Sequence, residues 1–375
     1  MRRISNVRPS PLFRDDGPLG ARIMRRVRGI TLELVAFVLV TVLLPGLLLV
    51  AALVDLALWL DRRKPWVGVR LTAFCWWFLF GELRALVVIL GIAVITGGPL
   101  GKGSLRRRVL LYRLRAHWAA SHLGGIRVLF GLHFEVEGLA EAGPGPVTIM
   151  MRHASIIDNM LPDALVARTH GLGLRYVIKR ELQTIPTIDI GGRWVPTNFV
   201  RRGSGDSAGE IARLRALAID LHEGEGILVY PEGTRFTPAK LERAKEIVRE
   251  RQPEISPMAE RLQHLLPPRM GGPLALIDEA PQVDIVFCGH VGFDGFQHIS
   301  DIWAGRLVGS VIGVKFWRVP AADVPHGEVE RAEWLYGHWQ AMDDWIDEKI
   351  RRTDAEAGRF GSHESTPRPV GMRRA

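Results

Sequence analysis

A chain of 375 residues is too long for one small module, and 47% apolar with 24% charged residues excludes a mostly disordered one. Two cysteines, Cys75 and Cys288, exclude a disulfide framework and a Cys-rich zinc site. A net charge of +9 asks for an acidic partner, either nucleic acid or an anionic membrane surface. Only seven of the 49 basic residues are Lys, an Arg bias that points to a GC-rich bacterial genome.

The first element is apolar. Leu34 to Val54 is twenty-one residues without a charge, and at 1.5 Å per helical residue it spans about 30 Å, a bilayer core. Pro45-Gly46 lies inside it, which membrane helices tolerate. It is too long for a signal-peptide core of about 7–15 residues. A second apolar stretch, Leu71 to Gly97, carries Glu82 and Arg84 near its middle, each costing about 2.5–3.5 kcal/mol at a bilayer centre. Two apart on one helix, they cannot pair. They find partners on the first helix, or the segment breaks near Gly81. A helical hairpin is expected, its depth open.

Arginines precede the first helix from Arg2 to Arg28 and follow the second from Arg106 to Arg115, so both ends prefer the cytoplasmic side. The loop between them holds Arg62, Arg63, Lys64 and Arg70, which conflicts with a full crossing. A shallow hairpin removes the conflict. Such flanks also attract anionic lipid headgroups.

From Gly131 short apolar strands alternate with amphipathic helix patterns. The strands are 132–136, 147–151, 175–178, 197–200, 227–230, 283–288 and 311–316. Helical patterns fall at 159–168, 211–221, 239–251 and 328–351. This alternation predicts an α/β fold with a mixed, largely parallel sheet flanked by helices. The tail from Gly361 is rich in Ser, Pro and Arg and reads as disordered.

His153 and Asp158 form an H-x4-D where a predicted strand turns into a helix. The break lets the carboxylate return to the imidazole, leaving the other ring nitrogen to take a proton. Ser155-x-x-Asp158 also fits a helix-start capping pattern, which would leave His153 a bystander. His338 and Asp343 repeat the spacing on a continuous helix, about 140° apart, and cannot meet. Glu232-Gly-Thr-Arg235 follows another strand: Gly233 admits a ligand close to the backbone, and Arg235 and Thr234 can donate to a phosphate. Phe199-Val-Arg-Arg202 brings Arg201 and Arg202 to a third strand end.

Gly205-Asp-Ser207-Ala-Gly209 matches the G-x-S-x-G elbow of serine hydrolases. Against it, the motif is separated from its strand, and Ser207-x-x-Glu210 fits a capping box. A P-loop near Lys102 fails because Gly103 follows the lysine. The twelve His form no metal-ligand cluster, and no helix pairs basic spacing with stacking aromatics, so nucleic acid is not the expected partner.

In order, these pieces resemble the 1-acylglycerol-3-phosphate acyltransferase family. Its H-x4-D is matched by His153 and Asp158, its second motif by Lys179-Arg-Glu-Leu182, Ile185-Pro186 and Phe199-Val-Arg-Arg202, and its E-G-T-R by Glu232 to Arg235. Val283-Asp-Ile-Val286 stands where the family has an apolar strand with a proline. Phe236-Thr237 with Lys240, then His264-Leu-Leu-Pro-Pro-Arg269, look most like the long-chain and lysocardiolipin branch. Two positions depart: Arg152 replaces the usual Asn before the His, and Asp284 replaces the Pro.

The resemblance implies a catalytic His153–Asp158 pair and an acceptor site of Lys179, Arg202, Glu232, Gly233, Thr234 and Arg235. It implies no metal, no cofactor beyond acyl-CoA or acyl-carrier protein as co-substrate, and a lysophospholipid acceptor. The expected layout is a basic cytoplasmic N-terminus (1–29), a membrane hairpin (30–100, helices about 34–60 and 71–97), a basic amphipathic linker (101–130), an acyltransferase domain (131–352) and a disordered tail (353–375). The expected place is a bacterial inner membrane, catalytic domain on the cytoplasmic side. A serine lipase or esterase using Ser207, and a catalytically silent phospholipid-binding protein, stay open on sequence alone.

Overall fold

The computed structural model describes residues 17–98, 104–200, 207–294, 296 and 299–361. Helices α1 (Leu19–Arg62) and α2 (Gly68–Ile95) form a hairpin. At 44 residues α1 runs on through Pro45. It begins earlier than its apolar run because the basic stretch is itself helical and partnered. Arg25 and Arg26 both reach the buried Asp189 carboxylate, at 2.9 and 3.0 Å. The turn is fixed by Asp55, whose two oxygens accept the amides of Gly68 and Val69 at 2.9 Å each. Those are amides that a helix start leaves without an internal acceptor.

Glu82 and Arg84 find their partners on α3 (Leu105–Phe130), not on α1, and α2 does not break at Gly81. Glu82 is fully buried. It accepts from Trp118 Nε1 at 2.6 Å and from the Thr187 hydroxyl, while Arg84 donates to Ser121 Oγ at 3.1 Å. Gly81 makes this possible: a Cβ there would stand 2.4 Å from His122 Cε1. The stretch expected as a linker is thus a helix, and its Leu111, Ala119, Ile126 and Phe130 are buried. Its amphipathic pattern, with an apolar residue every third or fourth position, supplies that buried face.

The sheet is seven-stranded, ordered β1-β7-β6-β2-β5-β3-β4. Its strands are β1 (His133–Glu137), β2 (Val147–Met151), β3 (Gly173–Lys179), β4 (Thr197–Val200), β5 (Glu225–Val229), β6 (Asp284–Val291) and β7 (Val311–Val319). All pairings are parallel except β6 with β7. The sheet is therefore mixed and largely parallel. Side chains alternate across it. Val147, Ile149 and Met151 join the core beneath α3, while Met150 joins the core on the other face.

Helix α4 (Arg168–His170) closes a π-helical stretch, Pro162–Ala167, where the sequence predicts one regular helix. Helix α5 (Pro186–Gly192) takes the contact with α1. The second face is covered by α6 (Ser207–Ala218), α7 (Pro238–Arg251), α8 (Ser256–Arg261), α9 (Gly271–Glu279) and α11 (Glu328–Gly361), with α10 (Ile299–Ile302) at one end of the fold. Helix α11 continues past residue 352, where the sequence reading placed a disordered tail. Past residue 352, Thr353 Oγ1 donates to the Lys349 carbonyl at 3.0 Å. Residues beyond 361 lie outside the described chain.

Because β6, β2, β5 and β3 run parallel in one block, their C-terminal ends share one edge. Met151 is in register with Cys288, and Met150 with Val229. In open parallel sheets that edge is where ligands bind.

Candidate active site

His153 leaves the end of β2, and the chain turns at once so that Asp158 folds back under it. His153 Nδ1 lies 3.1 Å from Asp158 Oδ1. The same carboxylate accepts the amides of Ala154 and Ser155, both at 2.7 Å to Oδ2. Asp158 is thus cap and imidazole partner together, and His153 is no bystander. Burial alone would raise its pKa, but hydrogen bonds from His153 and His290 hold it well below the usual carboxylate range. An ionised Asp158 fixes the Nδ1–H tautomer and leaves Nε2 as the basic nitrogen. The Tyr230 ring packs on the imidazole, centroids 4.4 Å apart.

The turn after β5 meets this loop directly. Glu232 is 1% exposed. Its Oε1 accepts the His153 amide at 2.7 Å and its Oε2 the Leu266 amide at 3.1 Å. Phe236 donates its amide to the His153 carbonyl at 2.7 Å. Glu232, expected at the substrate, therefore sits inside and positions the catalytic loop. Burial pushes its carboxyl up to about 8, against the pull of those two amides and of Arg152. Gly233 has φ +66°, where a side chain is strained. Its amide closes the turn on the Tyr230 carbonyl at 2.9 Å. Thr234 and Arg235 follow, half-buried. Lys240 on α7 donates to Thr234 Oγ1 at 3.3 Å and to the Arg235 carbonyl at 2.8 Å.

Lys179 ends β3 on the same edge, in register with Val200. Arg201 and Arg202 lie outside the described residues. Helix α6 begins at Ser207, seven positions beyond the end of β4, so the serine does not leave its strand directly as an elbow requires; its side chain also lies outside the described residues. His338 stacks on Phe287 at 4.6 Å, and Asp343 instead accepts the amides of Gln263 and His264. The repeated spacing on α11 is thus structural.

Two placements escaped the sequence reading, those of His290 and of Arg152. His290, fully buried on β6, brings Nε2 to 3.4 Å from Asp158 Oδ2. Arg152 is fully buried and ion-paired to Asp294. It also donates to the His290 carbonyl at 2.6 Å and the His264 carbonyl at 3.0 Å. Burial raises and Arg152 more than offsets the pKa of Asp294, which ends below its usual range. An Arg in place of Asn thus ties three loops together behind the base. The sequence signal for His290 was a single His closing a buried apolar strand. Among the described residues, no group of three or more His, Cys, Asp or Glu is placed to hold a metal.

Residues 133–261 match the family model described as acyltransferase. A lyso-ornithine lipid O-acyltransferase of Pseudomonas aeruginosa is 33% identical over 155 residues, 39% of this chain and 54% of that protein. The 1-acyl-sn-glycerol-3-phosphate acyltransferase gamma of Mus musculus is 29% identical over 211 residues, 54% of this chain and 52% of that protein. The chain thus spans about half the length of these relatives. The crystal structure of a 1-acyl-sn-glycerophosphate (LPA) acyltransferase from Thermotoga maritima matches at TM-score 0.39 and 15% identity, over 73% of this chain and 98% of that one. The family model and the two curated relatives thus make residues 133–261 similar to acyltransferases.

Proposed function

We propose that this protein is a membrane-bound O-acyltransferase. It moves a fatty acyl group from acyl-CoA or acyl-carrier protein to the free hydroxyl of a lysophospholipid, 1-acylglycerol-3-phosphate giving phosphatidic acid. The observation that carries this is the 3.1 Å His153–Asp158 contact, joined through Glu232 to the Gly233-Thr-Arg235 turn. His153 Nε2 takes the proton of the acceptor hydroxyl as its oxygen attacks the thioester carbonyl. Asp158 stabilises the imidazolium. The tetrahedral intermediate collapses, the C–S bond breaks, and the imidazolium returns the proton to the departing thiolate. The products are an ester and a free thiol, and no acyl-enzyme forms. Arg235, with Arg202 and Lys179 from neighbouring strand ends, holds the acceptor phosphate.

The hairpin supports an interfacial seat. Helices α1 and α2 are long and apolar enough to cross a membrane. Outward residues of α1 such as Val42 and Leu49 are 72% and 63% exposed. Yet both ends of the hairpin touch the rest of the fold: Arg25 and Arg26 meet Asp189, while Pro65 packs on Gly305 and Lys64 lies 4.1 Å over the Trp303 ring. A tip held there favours a hairpin dipping into one leaflet, with Trp59, Trp66 and Trp303 at headgroup level. That seating removes the charge conflict of the basic loop. In a bacterium the membrane would be the inner one, the catalytic domain cytoplasmic.

The deciding experiment incubates the purified full chain with labelled acyl-CoA, or acyl-carrier protein, and a panel of lysophospholipids. Transfer to lysophosphatidic acid is expected. The name of the Pseudomonas relative makes lyso-ornithine lipid the second acceptor to include. Labelling of Ser207 by a fluorophosphonate, with no transfer, would instead establish a hydrolase. Binding of phospholipid without any turnover would leave the silent reading.

A further inference from the structure

The segment after α8 is built to carry one arginine. Leu262, Leu265 and Leu266 are buried, and so are Pro267 and Pro268. Asp343 accepts the amides of Gln263 and His264 at 2.9 and 2.7 Å. Arg152 takes the His264 carbonyl, and Trp339 Nε1 donates to the Leu266 carbonyl at 2.9 Å. Glu232 holds the Leu266 amide at 3.1 Å. The Arg269 amide donates to the Pro231 carbonyl at 2.8 Å. Apolar burial and six hydrogen bonds make this a rigid strap along the catalytic turn.

The strap ends on Arg269, which is exposed. Its side chain crosses the face of Gly233: a Cβ built there would meet Arg269 Cδ and Nε at 3.0 Å and Cζ at 3.2 Å. Gly233 is thus required both for its positive φ and for the room this guanidinium occupies. Among the described residues, the guanidinium has no hydrogen-bond or ion-pair partner. The one carboxylate of the turn, Glu232, faces inward and is occupied by amides, so it does not neutralise the arginine. Lys240 adds a second cation at Thr234 and Arg235.

We infer that Arg269, with Lys240, forms a phosphate-binding subsite over Gly233 that selects an acceptor bearing a phosphate monoester. A guanidinium held without a partner on a rigid strap is a preorganised donor fork, so little freedom remains to be lost when an anion binds. The choice of acceptor follows from position. Glu232, adjacent to Gly233, holds the amide of the base itself. A lysophosphatidic acid carries its phosphate a few bonds from the attacking hydroxyl. In acyl-CoA the long pantetheine arm separates the phosphates from the thioester. The inference rests on the acyl-transfer reading above.

Its test is chosen to separate the two. In the full chain in detergent micelles, on a His153→Ala background that stops turnover, binding of fluorescent lysophosphatidic acid is measured directly. Arg269→Ala should lose tenfold to a hundredfold in affinity, and Arg269→Lys should restore part. In the active chain, Arg269→Ala should raise the acceptor KM far more than it lowers kcat, with the acyl-CoA KM little moved. An exposed control, Arg251→Ala, should change neither. Unchanged lysophosphatidic acid binding overturns the subsite. A loss seen only for coenzyme A assigns these cations to the donor and overturns the acceptor assignment. A wild-type chain that transfers no acyl group refutes the function, while the binding arm still decides Arg269.

Discussion

His290 Nε2 stands 3.4 Å from Asp158 Oδ2, so one buried carboxylate serves two histidines. The carboxylate also accepts the amides of Ala154 and Ser155, while His290 Nε2 lies 3.2 Å from the Arg152 carbonyl as well. His290 lies against Asp158 and is expected to act by keeping that carboxylate ionised and oriented. His290→Phe should cost about 1.5–3 kcal/mol of that support, the worth of a hydrogen bond to a charged group, and lower kcat about tenfold or more. The sign of the pH effect follows. Asp158 is depressed in the folded chain, so its stabilisation is present above the usual carboxylate value and lost as pH falls through the lower folded one. Removing His290 raises that folded value. The acid limb of kcat/KM should move to higher pH, and an unshifted limb in a folded, slow variant would leave His290 as packing only.

His153→Ala should abolish transfer, and Asp158→Asn should greatly impair it. The two act as a unit, so the double variant should be little worse than either single. His338→Ala should leave turnover intact, because its ring packs against Phe287 and Trp334. Initial rates at saturating donor and acceptor decide this. Near-normal turnover in His153→Ala would remove the base.

The His153–Asp158 contact could be read before the fold because its members are five residues apart and a turn joins them. Strands 147–151 and 197–200 were read to the residue, since short runs rich in β-branched and apolar residues bounded by turn residues are a local signal. What stayed hidden was long-range. Arg152 and Asp294 are 142 positions apart, and Glu82 and Thr187 are 105 apart. Nothing local marks which of many arginines will be buried, or against what. The stretch of α3 was read as a basic amphipathic linker; the burial of its Arg107 and Arg108 stayed hidden for a related reason, since the partner of Arg108, Glu225, is 117 positions away. The Glu232 carboxylate was assigned outward because its motif gives its position, while its direction depends on amides at 153 and 266.

Glu232 sets a measurable pH dependence of stability. Its carboxyl is raised to about 8, chiefly by burial. A group raised on folding stabilises fully below its unfolded value, and that contribution is lost as pH rises through the folded one. Thermal midpoints of the wild type should therefore fall between about pH 4.5 and about pH 8. Glu232→Gln should flatten that slope. It should also cost about 1–3 kcal/mol where Glu232 is ionised, because the carboxylate accepts from two buried backbone donors and an amide side chain offers one acceptor. Equal slopes in the two proteins would mean that another group carries the titration.

The hairpin gives the last prediction. If α1 crosses a bilayer, its tip at Lys64 must lie on the far side from the catalytic domain. The structure instead puts Lys64 over Trp303 and Pro65 on Gly305, both on the catalytic side of the hairpin turn. Of the two cysteines, Cys75 is exposed and Cys288 is buried. A Cys75→Ser chain carrying Lys64→Cys would thus report the tip alone. In sealed vesicles a membrane-impermeant maleimide should label Lys64→Cys from the same side as Glu223→Cys, an exposed position of the catalytic domain. Contacts at both ends of a helix of 44 residues cannot be kept if one end passes through about 30 Å of hydrocarbon while the domain stays behind. Labelling of the two positions from opposite faces would therefore require the Lys64–Trp303 and Pro65–Gly305 contacts to break in the membrane, and the one-leaflet seat would be wrong.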